Sequence, residues 1–103
     1  MTGISDYQAF RESLLASAHG PFFPEWEFQT LFGLQRADVA AIAESFSPAT
    51  ALTGDVALAL NNAMGNLLGY PHGHEADWHE WLSVPPEQLQ VIFSKWRASR
   101  SEA

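Results

Sequence analysis

The sequence predicts an all-α fold: a compact single domain, residues 1–103, of about five to six helices around a central buried helix at about 55–68. Three observations carry this. Apolar residues recur at spacings of three and four in one segment after another, as the buried stripe of a helix requires. Residues 56–71 form a run of sixteen without a charge. Strand-like alternation, Asn-Gly or Asp-Gly hairpin pairs, and internal repeats are all missing from the sequence. A chain of 103 residues buries well over half of its unfolded surface in a single core.

The first helix is expected over residues 6–18, where Tyr7, Phe10, Leu14 and Ala18 share a face. Ser5 and Gln8 have capping-box spacing at its start, and Gly20-Pro21 supplies a left-handed stop followed by a residue that cannot continue the helix. Residues 21–34 hold five of the thirteen aromatic residues, a density that points inward. Pro24 suits the first position of a short helix there, Glu25 and Glu27 meet its positive end, and Gly33 can end it. A third helix spans 36–46 on the stripe Val39, Ile42, Ala43 and Phe46, and Ser47-Pro48 closes it.

Thr53 or Asp55 is available to cap the fourth helix, whose broad apolar arc is Val56, Leu60, Ala63, Met64, Leu67 and Leu68, with Leu58 on the opposite side. A helix apolar around most of its circumference is enclosed by neighbours. Gly65 lets another helix come close, and Gly69 before Tyr70-Pro71 reads as a stop. A short helix at 75–82, a break at Ser83-Val84-Pro85-Pro86 and a last helix at 86–97 complete the chain. Leu89, Ile92, Phe93 and Trp96 form the buried stripe of the last helix, and Lys95 and Arg97 complement its dipole.

Composition excludes several classes. The chain has no cysteine, which removes disulfides, thiolate zinc sites and thiol nucleophiles and suits a reducing compartment. No apolar run approaches the roughly 20 residues that cross a bilayer, and the first residues lack the pattern of a signal peptide. A cytoplasmic protein without membrane association is therefore expected. The net charge is −7, and it is unevenly placed. Lys95, Arg97 and Arg100 lie in the last nine residues, whereas residues 1–94 set Arg11 and Arg36 against eleven carboxylates, a balance of −9. Such a body repels a phosphate backbone, so no nucleic-acid partner is expected, and it steers basic proteins inward.

Three of the four histidines and three carboxylates fall within residues 72–80. His72, His74 and His79 with Glu75, Asp77 and Glu80 raise two chemical readings, metal coordination and acid/base catalysis. The spacing matches no metal signature, and no nucleophile, oxyanion hole or phosphate cradle accompanies it. The plainer expectation is a polar loop opening an exposed helix, with no metal and no cofactor. Trp78 and Trp81 are three apart in this acidic segment: both belong to the core, or one is partly exposed as an interface anchor. Asn61, Asn62 and Asn66 interrupt the apolar fourth helix, so their amides must bond backbone groups of adjoining loops or face a partner.

The segments Pro24-Glu25-Trp26-Glu27-Phe28-Gln29-Thr30-Leu31-Phe32-Gly33-Leu34 and Asn61-Asn62-Ala63-Met64-Gly65-Asn66-Leu67-Leu68-Gly69-Tyr70-Pro71-His72-Gly73 resemble small bacterial immunity proteins, of the helical type found in contact-dependent growth inhibition systems. The resemblance implies a non-enzymatic partner of a toxin's C-terminal domain, in some cases a ribonuclease, bound as a 1:1 heterodimer. The charge distribution supplies the expected contacts: Glu75, Asp77 and Glu80 with Trp78 as apolar anchor, together with Glu25 and Glu27. The alternatives are a small metal-dependent or acid/base enzyme centred on His72, His74 and His79, and a structural subunit that exposes the aromatic surface 22–32.

Overall fold

Helix punctuation in the sequence is obeyed nearly everywhere. The structure, a computed structural model, describes residues 6–101, and the proposed cap Ser5 lies outside the described residues. The elements are α1 (Asp6–His19), α2 (Glu25–Phe32), α3 (Arg36–Ser45), α4 (Gly54–Gly69), a single 3₁₀ turn (Glu75–Asp77), α5 (Trp78–Trp81) and α6 (Pro86–Ser101). This is a small all-α bundle, with no strand among the described residues.

α4 packs against α1, α2 and α6, and it shares the centre of the bundle with α1, which packs against α3, α4, α5 and α6. Its buried residues are Ala57, Ala59, Leu60, Ala63, Met64 and Leu67, and their small members allow close approach. At Gly65 an added Cβ would lie 3.5 Å from the Phe93 ring, so α6 rests there in ordinary van der Waals contact. Leu58 emerges on the far side, as the helical arc requires. The stripe Leu89, Ile92, Phe93 and Trp96 of α6 is buried, and that helix runs one turn beyond the expected 97.

Two glycine stops work differently from their sequence reading. Left-handed backbone occurs at Gly33 (φ 71°), Gly54 and Gly73, but not at Gly20 or Gly69. Gly20 is required by proximity: its N–H donates to the Ala16 carbonyl at 2.9 Å, and a Cβ would sit 2.6 Å from that same oxygen. Gly69 is the last residue of α4, which ends because Tyr70 is extended ahead of Pro71. α3 has a start signal that the sequence reading missed. The Asp38 carboxylate accepts the Gln35 N–H while the Gln35 side chain accepts the N–H of Asp38, closing a reciprocal capping box.

Candidate functional site

The six acidic and aromatic residues singled out by the sequence fall in two regions, α2 and the stretch from the 3₁₀ turn through α5. In α2, Phe28 and Phe32 stack 4.3 Å apart, facing inward with Phe22 and Phe23. That register decides the fate of Trp26. Two residues before Phe28 is about 160° around the helix, and the indole is 80% exposed. The expectation that this aromatic segment points inward therefore holds for its four phenylalanines and fails for its tryptophan. An exposed Phe22–Phe32 surface, which the structural-subunit alternative needs, is not formed.

The acids of α2 are engaged. Arg36, one of the two cations in the acidic body, donates through Nε to Glu25 at 2.8 Å, through Nη1 to the carbonyls of Ser17 and Ala18, and through Nη2 to the Phe23 carbonyl at 2.7 Å. Its guanidinium also lies over the Phe28 ring. One side chain thus satisfies the carbonyl end of α1 and the entry to α2, a role the sequence did not signal. The Glu27 carboxylate accepts the Tyr70 hydroxyl proton. That bond, then burial and the carboxylate's charge, push the Tyr70 pKa up. Asn62 and Asn66 donate to the carbonyls of Phe32 (2.8 Å) and Leu31 (3.1 Å), so their amides cap the last turn of α2.

The second region has the opposite character. Trp78 is 6% exposed; its Nε1 donates to the Val84 carbonyl at 2.7 Å and its ring meets Phe22 edge-on. The expected protruding anchor is therefore a wall of the core, because its one polar atom finds a carbonyl in the 82–85 loop. Trp81 is half-buried. The loop is pinned from α1, where Glu12 accepts both the N–H and the hydroxyl of Ser83 at 2.7 Å. Between α5, this loop and the start of α6 lies a hollow of about 410 Å³ lined by Glu75, Trp78, His79, Leu82, Val84 and Pro86. A smaller one of about 130 Å³, lined also by Leu67, Tyr70 and His72, shares Glu75, Trp78 and Pro86 with it.

Of the acids in this part of the chain, Glu75 lines both hollows. Asp77 pairs with His74 Nδ1 at 3.1 Å, whereas Glu75, Glu80 and Glu87 are exposed and meet no cation among the described residues. Lys95 is tied to Asp6 at 3.2 Å. Arg97 lies ten residues beyond Glu87 on α6, about 15 Å along the axis, against a screening length of about 8 Å.

The histidines do not converge on one another as a chemical site. His72 is held by its own loop: Nδ1 accepts the His74 N–H at 2.9 Å and Nε2 donates to the Leu67 carbonyl at 3.2 Å, an arrangement met by one neutral tautomer. His79 is exposed on α5. Among the described residues no three His, Asp or Glu side chains are arranged to hold a metal ion.

The fold and these two regions define a small helical bundle with an apolar hollow beside Trp78 that one unpaired carboxylate, Glu75, lines. No protein family, curated protein or solved structure matches the chain.

Proposed function

We propose that this protein is a stoichiometric inhibitor of the immunity type, which neutralises the toxic C-terminal domain of a contact-dependent growth inhibition toxin by covering its basic active site. One observation carries the reading: Glu75 stands without a cation on the wall of an apolar hollow, and Glu80 and Glu87 on α5 and α6 are likewise exposed and unpaired, while Arg36 and Lys95 are engaged within the protein itself. Unpaired carboxylates beside apolar walls are the complement of a cleft that binds RNA or DNA phosphates, and their field raises the encounter rate with a basic protein. The protein acts by occupancy rather than catalysis, as one copy per toxin domain, in the cytoplasm, where a cysteine-free chain is at home.

Co-expression with the small domain encoded beside its gene, followed by size-exclusion chromatography, tests this. The two chains are expected to elute together, with affinity falling as salt is raised. Separate elution of the two overturns it.

A further inference from the structure

The two hollows beside Trp78 make a preformed cleft, and we infer that it takes an extended protein segment in which a Lys or Arg is flanked by two apolar side chains. The inference rests on the protein-binding reading above and specifies which part of a partner this face recognises.

The geometry points to such a segment in three ways. The hollows are neighbours with a common wall, since Glu75, Trp78 and Pro86 line both. The larger suits an aromatic or leucine-sized side chain, the smaller an alanine- or valine-sized one. Glu75 stands at the shared wall, exposed and without a cationic partner, so a cation held between two seated apolar residues meets it directly. The Glu75 carboxylate repels an acidic segment in the same place.

The cleft is also held open by internal bonds. The Trp78 indole is fixed on the Val84 carbonyl, Ser83 is fixed twice by Glu12, and Pro85-Pro86 restricts the backbone that forms one rim. A site whose walls are already ordered loses little conformational entropy on binding.

Titration of the ¹⁵N-labelled full chain with blocked tripeptides, followed by ¹H–¹⁵N NMR, tests the cleft. Phe-Arg-Val is expected to shift the Trp78 indole signal and the amides of Glu75 and His79 saturably, leaving the Trp26 indole in place. Phe-Glu-Val and Gly-Arg-Gly are expected to bind about tenfold more weakly or worse, the loss of one charge-assisted contact or of the seated apolar groups. Glu75→Gln is expected to weaken Phe-Arg-Val by a similar factor, and His79→Arg, which places a cation on the rim, to weaken it too. Both positions are exposed, and an unchanged Trp78 indole signal in the free variants verifies their fold. Equal shifts from Phe-Glu-Val, shifts centred on Trp26, or no saturable shift overturn the inference.

The two proposals fail separately. If the neighbouring toxin domain binds Glu75→Lys as tightly as the wild type, the cleft assignment falls and the inhibitor reading stands. If Phe-Arg-Val binds the cleft but that domain does not bind the protein, the inhibitor reading falls and the cleft stands.

Discussion

Trp26 and Trp78 occupy nearly the same local sequence, an indole between acidic residues on a short helix, and end in opposite environments. In α2 the acids are structural and the indole is outside: Glu25 is tied to Arg36 and Glu27 to Tyr70, while Trp26 faces solvent. Beside α5 the indole is structural and the acids are outside: Trp78 is bonded to Val84, while Glu75 and Glu80 are unpaired. An acidic cluster around a tryptophan therefore says little about binding until the partner of each carboxylate is known. The acids of α2 are tied into the fold, whereas Glu75 and Glu80 form no ion pair within it.

The strongest way to break the contrast is Arg36→Ala. It removes the donor shared by three carbonyls and the partner of Glu25, and a loss of about 3 kcal/mol is expected in urea denaturation. Arg36→Lys should recover only part of it, since an ammonium lacks the planar fork. A smaller loss near that of Glu25→Ala alone would mean that the carbonyl contacts contribute nothing.

The two indoles should separate next. Trp78→Phe leaves the Val84 carbonyl without its donor and opens space in the core, for an expected cost of about 2 kcal/mol. Trp26→Ala should stay within about 0.5 kcal/mol, as exposed positions do. Equal costs would erase the distinction between the regions.

The Tyr70–Glu27 tie predicts a signature at alkaline pH. The folded pKa of Tyr70 is raised, so its contribution is fully present below the ordinary tyrosine value of about 10 and is lost as pH rises through the higher folded value. Urea midpoints measured from about pH 8 upward should therefore fall more steeply for the wild type than for Tyr70→Phe over that window. Parallel curves would remove the tie.

The smallest effect is expected where the acids are unengaged. Joint replacement of Glu75, Glu80 and Glu87 by Gln should leave stability within about 0.5 kcal/mol, checked by thermal melts, because no partner is lost. A clear destabilisation would show these acids to be structural after all.

Much of the fold was legible because helix signals are local. Apolar spacing of three and four placed α1, α3, α4 and α6 within a turn of their observed ends, and the Pro and Gly signals bounded α2. The asparagines of α4 were legible in kind, as amides in need of backbone partners, but their partners on α2 lie 30 and 35 residues away. The site was half legible. The segment around residues 75–80 was visible and contributes Glu75, Trp78 and His79 to the hollow, whereas the withdrawal of Trp78 depends on the Val84 carbonyl and the ring of Phe22. The exposure of Trp26 was legible in principle, because a helix that turns Phe28 and Phe32 inward must turn Trp26 outward. Aromatic density outweighed that periodicity in the sequence reading.

The sequence by itself determined that this protein is a helical bundle, where most of its helices begin and end, and that negative charge predominates over residues 1–94 and positive charge in the last nine, since each of these follows from neighbours within a turn or two. Tertiary structure alone decided which carboxylates are engaged and where the protein is concave. Those outcomes rest on pairings such as Glu12 with Ser83, 71 residues apart, and Tyr70 with Glu27, 43 apart. A side chain's partner is set by which helices meet in space, and local periodicity carries no record of that meeting.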